Sequence, residues 1–372
     1  MRIVHVSDTH LGYSAYSKVD EESGLNQREM DFYRAFERIV DKCLELEPDA
    51  VLHSGDLFDT VRPTNRAISF ALEQFLRLSQ ARIPVVVIAG NHSTPRLRET
   101  GSVFKIFEHL DHIHPVFREE YEVVQLGDLV VHALPHCEGE QLASEASLMS
   151  PQEGKWNVAM LHAGISSLQV FRMGEFNEEI LPASYLKPEF DYIALGHYHN
   201  FAEVTPNACY SGSSERLSFA EAGVEKGMIE VDLERGRRRF IEMPSRPMLD
   251  LGTIEARDLD LNALRASLQE RIGSQDVEGK IVRVSVRDVS YENYKNVNFH
   301  WLRQLAAKAM HFEPKFEVRT QDLSLQGKGT SIGALDKEWV AFLDGYPVER
   351  VDKAKVRSRG LEYLAKGVEE SD

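Results

Sequence analysis

Five short apolar segments within residues 1–200 each run directly into a polar group that can bind a metal ion. These polar groups are Ser7-Asp8-Thr9-His10, Ser54-Gly55-Asp56, Gly90-Asn91-His92, His162 and Gly196-His197-Tyr198-His199. Open α/β sheets place their functional sites at the C-terminal ends of their strands. We therefore expect the carboxylate, amide and imidazole side chains of these groups to lie close together.

The apolar segments also predict the fold of this part of the chain. The strand candidates are Ile3–Val6, Ala50–His53, Val85–Ala89, Leu129–Leu134, Val158–Leu161 and Tyr192–Leu195. Apolar residues recur with the spacing of amphipathic helices over 32–43 and over 68–76, the latter entered through Pro63-Thr64, and a third helix is expected over 103–110. Strands that are apolar on both faces and separated by helices predict a layered α/β domain.

The pattern changes near residue 245, where we expect a domain boundary. Met228–Leu233 and Phe240–Met243 flank a turn as a hairpin does, and Pro244-Ser245-Arg246-Pro247 has the composition of a linker. Helices and strands are predicted beyond it over 261–272, 281–286, 299–310 and 316–318, followed by a Gly/Ser-rich break over 325–333 and two helical stretches. These signals predict a first domain over 1–245, a small α+β domain over 246–325 and terminal helices over 326–372.

Composition excludes several classes of protein. The 372 residues contain no run of about 18 apolar residues that would span a membrane, and Met1-Arg2 leads directly into a strand candidate. We therefore expect no signal peptide, no membrane association and a cytoplasmic location. The three cysteines, Cys43, Cys137 and Cys209, form no C-x-x-C pair, which argues against a disulfide framework and against a cysteine-ligated zinc site.

The formal net charge of −16 bears on the choice of substrate. The mean electrostatic field of such a chain repels phosphate, so the chain is not a general binder of polyanions. If the substrate is a nucleic acid, bound cations, local basic patches or a partner protein must overcome this field.

The spacing within the polar groups predicts how they converge. Asp8 and His10, like His197 and His199, are two residues apart, so in an extended chain both members of each pair face the same side. The glycines at positions 55, 90 and 196 let the backbone turn sharply and approach an ion or a phosphate closely. Each pair can therefore bind a single ion.

The residue types predict which ions bind. A mixture of Asp, Asn and His favours Mn²⁺, Zn²⁺ or Fe²⁺ over Ca²⁺ or Mg²⁺, which prefer oxygen ligands. Seven ligands exceed the needs of one tetrahedral zinc ion and suit two ions that share a bridging carboxylate. Any one of these motifs alone is usually a turn or a core histidine, but five in series predict a two-metal site.

This series of motifs, D-x-H, G-D, G-N-H, H and G-H-x-H, resembles the calcineurin-like metallophosphoesterase superfamily. The resemblance implies a four-layer αββα sandwich with a smaller C-terminal α+β capping domain and terminal helices. Carried over by position, it implies that one metal is held by Asp8, His10 and His199 and the other by Asn91, His162 and His197, with Asp56 bridging both. It further implies that His92 stabilises or protonates the leaving oxygen.

Further motifs narrow this resemblance. Leu11-Gly12, Leu57-Phe58-Asp59, the segment 210–216 and Lys226-Gly227 are similar to the nuclease subunit of the double-strand-break repair nuclease–ATPase complex, the SbcD or Mre-eleven family. The serine/threonine phosphatases of the superfamily carry G-D-x-x-D-R-G and R-G-N-H-E, and this sequence has neither. The similarity covers residues 1 to about 245 well, and it is weak in the small domain that follows.

The resemblance to these nucleases implies an activity and partners. The activity is Mn²⁺-dependent 3′-to-5′ exonuclease action on duplex DNA ends, with endonuclease action on single strands and hairpins. The partners are a second copy of the chain, for which the helices at 68–76 and 103–110 are candidate contacts, and an ABC ATPase of the SbcC or Rad-fifty type. The amphipathic helices at the end of the chain are a candidate docking segment for that ATPase, with packing on their own domain as the alternative.

Four residues are of special interest for catalysis and DNA binding. Ser93 stands where the family usually has an acidic residue that could orient the imidazole of the preceding histidine, which predicts an effect on rate or substrate choice. Arg96, Arg98 and Arg216 are candidate contacts to DNA phosphates. For Arg96 and Arg98, a position at the solvated start of a helix is the alternative.

Two other functions remain open. One is a phosphoesterase of the same fold that acts on nucleotides or small phosphate esters, which Ser93 and the acidic net charge favour. The other is a scaffold that binds DNA ends and the ATPase without catalysis. The complete set of seven ligands argues against a scaffold, since a chain that does no catalysis has no physical need for all of them.

Overall fold

The protein is described by a computed structural model that covers residues 1–94, 101–166, 179–319, 339–340, 343 and 353–369. It divides into two compact units, the first formed by 1–251, 275–283 and 306–313 and the second by 252–274, 284–305 and 314–372. All seven candidate metal ligands belong to the first unit. The domain boundaries expected after residues 245 and 325 stay predictions.

The secondary structure follows the apolar pattern closely. In chain order the strands are β1 (Arg2–Val6), β2 (Ala50–His53), β3 (Val85–Ile88), β4 (Ile113–Val116), β5 (Glu122–Leu126), β6 (Leu129–Leu134), β7 (Trp156–His162), β8 (Gly164–Ile165), β9 (Ile180–Leu181), β10 (Tyr192–Gly196), β11 (Ala202–Thr205), β12 (Ala208–Tyr210), β13 (Gly227–Asp232), β14 (Arg237–Glu242), β15 (Met248–Glu255), β16 (Ile281–Val289) and β17 (His311–Val318). The helices are α1 (Gln27–Leu46), α2 (Asn65–Gln80), α3 (Glu140–Leu148), α4 (Leu261–Gly273), α5 (Tyr291–Asn296), α6 (Phe299–Leu305) and α7 (Lys353–Glu369), with 3₁₀ helices at Val103–His109, Ala183–Tyr185 and Phe219–Glu221. The six predicted strands of the first domain, the hairpin and the helices α1, α2 and α4 are confirmed, whereas the helix expected over 299–310 ends at Leu305.

Two six-stranded sheets form the centre of the first unit. The first has the strand order β14-β13-β1-β2-β3-β4, and its strands β1 to β4 are parallel. The second has the order β11-β12-β10-β7-β6-β5, and β6, β7, β10 and β12 are parallel. In both sheets the remaining neighbours pair antiparallel.

The buried side chains form three layers of core. One layer lies between the two sheets and includes Ile3, Leu52 and Val158. A second packs α1, α2 and the 3₁₀ helix at 103–109 onto the outer face of the first sheet, and a third packs α3 onto the outer face of the second sheet. The predicted four-layer αββα sandwich is therefore confirmed. Strands covered on both faces are mostly apolar, which explains the apolar residues 50–52 of β2 and the continuous apolar run of β3.

The helix α2 begins where the sequence predicts, whereas α1 begins at Gln27, ahead of the apolar pattern over 32–43. The side chain of Thr64 accepts a hydrogen bond from the backbone N–H of Ala67 and caps α2, directly after Pro63. Asn26 caps α1 in the same way, through the N–H groups of Arg28 and Glu29. These caps fix both helices against the first sheet, where their buried faces extend the core.

Of the remaining strands, β15, β16 and β17 form a three-stranded sheet in that order, and β8 and β9 form a two-stranded sheet. In the second unit, α4 buries Leu264, Leu268 and Ile272. The indole of Trp339 lies directly over Gly360 of α7, where an added Cβ would come within 2.3 Å of the ring. Among the described residues, no helix has both the length and the apolar character needed to cross a membrane. The expected cytoplasmic location stays a prediction.

Candidate metal centre

The candidate ligands come from the strand ends of both sheets. Asp8, Asp56 and Asn91 follow β1, β2 and β3 of the first sheet, whereas His162 ends β7 and His197 follows β10 of the second. The apolar pattern predicted that strand ends would meet, and the structure distributes these strands over the two sheets of the sandwich. Because the sheets pack face to face, the C-terminal ends of their parallel strands meet at one edge of the sandwich.

One group of ligands consists of Asp8, His10 and His199. Each offers a ligand atom within 4.8 Å of those of the other two, and all three residues are buried. The Nε2 atoms of His10 and His199 are 3.2 Å apart. The carboxylate of Asp8 is held in place by the backbone N–H of His197, which donates to Oδ1 over 3.1 Å.

A second group surrounds His162. Its Nε2 lies 2.9 Å from Oδ1 of Asn91 and 3.3 Å from Oδ2 of Asp56. The same amide oxygen lies 3.3 Å from Nδ1 of His197. Asp8, Asp56 and His162 also have ligand atoms within 4.8 Å of one another, so the two groups adjoin through carboxylates.

The spacing of these atoms fits metal coordination. Ligand atoms bound to one ion at about 2.0–2.2 Å are separated by roughly 2.8–3.6 Å when the angles at the ion are those of an octahedron or a tetrahedron. The distance between His10 and His199 in the first group and the three distances in the second group lie between 2.9 and 3.3 Å. Carboxylate, amide and imidazole groups so close together, most of them buried, suit the binding of divalent metal ions.

The backbone reaches this arrangement through left-handed conformations. Asp8 has φ 52°, His10 φ 41°, Asp56 φ 49° and His197 φ 108°, all unusual for residues with a Cβ. The pair Asp8 and His10 does converge, as predicted, but not in extended chain, because β1 ends at Val6 and the chain curls immediately after it. Such strained residues concentrate at functional sites.

Two of the predicted glycines are needed for space between the ligand residues themselves. A Cβ on Gly90 would lie 2.2 Å from Oδ1 of Asp56, and a Cβ on Gly55 would lie 2.1 Å from Nδ1 of His162. Gly55 also has φ +100°. We expected these glycines to allow a sharp turn and a close approach of the backbone to an ion or a phosphate. The φ of Gly55 fits the turn, and at both positions the missing Cβ leaves room for the side chains of candidate ligands.

Acceptor groups on the outer side of the site orient the histidine rings. Nδ1 of His162 lies 2.8 Å from the carbonyl oxygen of Ser54. Because a carbonyl oxygen only accepts, Nδ1 carries the hydrogen and the lone pair of Nε2 points toward the other ligands. Nδ1 of His10 lies 3.4 Å from the carboxylate of Asp59, within ion-pair distance, but it makes no hydrogen bond among the described residues.

Burial and charge set the protonation of the site. Burial raises the pKa of Asp8. Burial would also raise the pKa of Asp56, but the charge of His162 and its hydrogen bond outweigh it and hold this pKa well below its usual range. Conversely, burial would lower the pKa of His162, yet the Asp56 carboxylate raises it to about 9. A ligand imidazole must be neutral, so binding of a cation at this pair releases a proton.

The predicted proton donor His92 borders the site. Its ring lies edge-on to His10 with the ring centroids 4.9 Å apart, and its backbone N–H donates to Oδ1 of Asp56 over 3.0 Å. Its Nδ1 lies 2.7 Å from the carbonyl oxygen of Asp59. Ser93 is buried, and its hydroxyl has no hydrogen-bond partner among the residues that the structure describes. The main chain at Asp59, and not residue 93, therefore orients this imidazole.

Only one of the three candidate DNA contacts lies within the described residues. Arg96 and Arg98 lie outside the described residues. Arg216 is half-buried, and its guanidinium donates to the hydroxyl of Ser245 over 2.8 Å, to the carbonyl of Arg246 over 3.1 Å and to the carbonyl of Val224. A role of these arginines in DNA binding stays a prediction.

The sequence reasoning missed a buried pair next to the site. Glu221 lies 3.3 Å from Nδ1 of His199, and Lys226 lies 2.5 Å from the other oxygen of this carboxylate. Burial would raise the pKa of Glu221, but its bonds to His199 and Lys226 hold this pKa at about 2. The available signal was the S-x-x-E pattern of a capping box, Ser218 to Glu221, which the structure forms.

A comparison with protein families matches residues 1–201 to the calcineurin-like phosphoesterases. This region is more than half of the chain and contains all seven ligand residues. The fold and the site thus define a metal-dependent phosphoesterase, and the chain belongs to the calcineurin-like phosphoesterase family.

Within this family, the chain is similar to archaeal proteins named DNA double-strand break repair protein Mre11. The relative from Sulfurisphaera tokodaii is 32% identical over 201 residues, which are 53% of this chain and 49% of the relative. The one from Thermoplasma acidophilum is 34% identical over 63% of this chain and 62% of its own. The one from Methanocaldococcus jannaschii is 28% identical over 83% of this chain and 81% of its own. The chain thus spans about half the length of the first of these relatives.

Proposed function

We propose that this chain is the nuclease subunit of a DNA double-strand-break repair complex. The proposal is supported by the two adjoining ligand groups, which suit cleavage of a phosphodiester, together with the names of the similar archaeal proteins. In this proposal the chain acts as a 3′-to-5′ exonuclease on duplex DNA ends and as an endonuclease on single strands and hairpins. The net charge of −16 makes bound cations part of DNA binding, because they offset a field that repels phosphate.

The ligand residues have separate roles in this proposal. Asp8, His10 and His199 hold one ion, Asn91, His162 and His197 hold the other, and Asp56 bridges both. Two bound divalent ions, Mn²⁺ in this proposal, would supply an acidified water molecule and positive charge at the phosphate. The strained backbone and the acceptors behind the histidine rings hold the ligands ready for these ions.

His92 serves the leaving oxygen in this proposal. Its Nδ1 is engaged by the carbonyl oxygen of Asp59 at 2.7 Å, so the protonated ring donates through Nε2. A general acid of this kind contributes roughly 10²–10⁴-fold to rate. Because a main-chain carbonyl orients the ring, the serine at position 93 is compatible with this role.

The proposed partners are DNA, a second copy of the chain and an ABC ATPase of the SbcC or Rad-fifty type. We place the dimer contact on α2 and the 3₁₀ helix at 103–109, and the ATPase contact on the segment that includes α7. Deletion of residues 330–372 should leave metal-dependent cleavage intact and abolish co-purification with the ATPase. Co-purification of the truncated chain would refute this assignment of the docking segment.

A second candidate is a phosphoesterase of the same fold that acts on nucleotides or small phosphate esters. The acidic net charge favours it, since a small ester meets less repulsion than a polyanion. A scaffold that binds DNA ends without catalysis is the third candidate. It is the least favoured, because the ligand set is complete and its atoms converge.

Cleavage of an end-labelled DNA duplex distinguishes these candidates. The purified protein would be assayed with Mn²⁺ or with EDTA, beside His92→Ala and the control His112→Asn, which changes an exposed histidine outside the site. A nuclease shortens the duplex only with Mn²⁺, loses this activity in His92→Ala and keeps it in the control. Hydrolysis of bis(p-nitrophenyl) phosphate without action on DNA would favour the second candidate, and Mn²⁺ binding without any hydrolysis the third.

A further inference from the structure

A buried carboxylate and a buried ammonium lie behind His199, on the side away from the other metal ligands. Glu221 is 4% exposed and Lys226 is 1% exposed. Oε1 of Glu221 lies 3.3 Å from Nδ1 of His199, while Nε2 of the same ring lies 3.2 Å from Nε2 of His10. One ring nitrogen therefore faces the carboxylate and the other faces the metal centre.

Lys226 completes this arrangement. Its ammonium donates to Oε2 of Glu221 over 2.5 Å, to the carbonyl oxygen of His199 over 2.7 Å and to the hydroxyl of Ser213 over 2.9 Å. A lysine ammonium has three N–H donors, and all three are used. Lys226 thus balances the charge of the carboxylate and anchors the main chain of the histidine whose ring the carboxylate contacts.

The local chain fixes the orientation of Glu221. Its Oε1 also accepts hydrogen bonds from the backbone N–H groups of Leu217, over 3.3 Å, and Ser218, over 3.2 Å. The bond from Ser218 belongs to the capping box at the start of the 3₁₀ helix Phe219–Glu221, and the bond from Leu217 adjoins it. A carboxylate held by two backbone donors and one ammonium has little freedom to turn away from the ring.

We propose that Glu221, with its charge balanced by Lys226, is a positioning residue that makes His199 a metal ligand through Nε2. An ionised carboxylate only accepts hydrogen bonds, so Nδ1 of the ring carries the hydrogen and the lone pair of Nε2 points to Asp8 and His10. A carboxylate behind a ligand histidine also makes the imidazole more basic and binds the ion more tightly. The inference rests on the proposed function, because it takes this histidine as a ligand of the centre.

Metal affinity tests the inference directly. Titration of the metal-free full chain with Mn²⁺ would be followed by calorimetry in the wild type, in Glu221→Gln and in the double variant Glu221→Gln/Lys226→Met. Loss of an outer partner of this kind weakens metal binding by about 10–100-fold. We expect this loss in both variants. The double variant removes the ammonium that the single variant leaves buried without its carboxylate, so it separates positioning from charge burial.

Glu215→Gln is the matched control. Glu215 is 1% exposed and bonded to the buried guanidinium of Arg28 over 3.1 Å, but it contacts none of the proposed ligands. The control should lose thermal stability and keep its Mn²⁺ affinity. The inference is overturned if the folded double variant binds Mn²⁺ like the wild type, or if Glu215→Gln weakens binding equally.

A measurement on the wild type covers the case in which the variants do not fold. The ¹⁵N NMR spectrum of metal-free protein should show the hydrogen of neutral His199 on Nδ1, and a hydrogen on Nε2 would overturn the inference. A different result would refute the nuclease proposal. Wild type that binds Mn²⁺ and hydrolyses bis(p-nitrophenyl) phosphate without cutting DNA would refute the nuclease assignment and leave the role of Glu221 to the affinity test.

Discussion

Substitution of Gly90 by alanine tests the close approach of ligand residues on which the site depends. An added Cβ would lie 2.2 Å from Oδ1 and 2.6 Å from the backbone nitrogen of Asp56, whereas real Cβ contacts essentially never fall below 3.0 Å. The carboxylate must therefore shift by about 0.8 Å, the difference between 2.2 and 3.0 Å, and the main chain next to it cannot stay in place. A displacement near 1 Å at a catalytic group can lower activity by about 100-fold. Overpacking of this kind also costs about 1–3 kcal/mol of stability.

Two measurements and one control test this prediction. Mn²⁺-dependent hydrolysis of bis(p-nitrophenyl) phosphate should fall by about 100-fold in kcat/KM, and denaturant unfolding should give the loss of stability. Gly273→Ala is the control, because Gly273 closes α4 and an added Cβ there meets no atom within 4 Å. The control should keep full activity. A Gly90→Ala protein with wild-type kcat/KM would refute the inference that the missing side chain of this glycine is needed for the position of Asp56.

Two further predictions concern stability. Burial lowers the pKa of His5 to about 3 from 6.5, so the unfolded chain binds more protons between these values and stability falls as the pH drops from about 6.5 toward 3. Between pH 7 and pH 5 this group should lower the free energy of unfolding, measured with denaturant, by about 2 kcal/mol. An equal loss over the same pH range in His5→Asn would contradict this prediction. Arg28→Met should cost about 3–5 kcal/mol, because it leaves the buried carboxylates of Asp31 and Glu215 without this partner. The control Arg239→Met removes an exposed ion pair and should cost less than about 1 kcal/mol; equal losses would refute the distinction.

The strands and ligand types could be predicted because their signals are local. A strand buried on both faces must be apolar, and a ligand directly after it is read from the next few residues, as with Asp56 after β2. Two strands, β4 and β5, were missed because their apolar signal is weak. The strand β5 is only half-buried, and β4 is four residues long and contains Pro115. Neither has enough apolar residues in series to stand out.

Partners that are distant along the chain could not be predicted. His162 is oriented by the carbonyl of Ser54, 108 residues away, and His92 by the carbonyl of Asp59, 33 residues away. A main-chain carbonyl is present at every residue, so no residue type marks its role. The family resemblance drew attention to the side chain at position 93, while the group that orients the ring belongs to the backbone of another loop.

The left-handed ligand residues explain why the site is organised by the main chain. Residues held in such conformations cost on the order of 1–3 kcal/mol each, and they persist only where the surrounding structure fixes them. Here the loops after β1 and β2 are joined by backbone bonds from the N–H of Asp8 to the carbonyl of Gly55, and from the N–H of His10 to the carbonyl of Asp56. These two bonds thus involve all three strained residues, Asp8, His10 and Asp56. Because these bonds do not involve the candidate ligand atoms, the fold itself brings the carboxylates and imidazoles together.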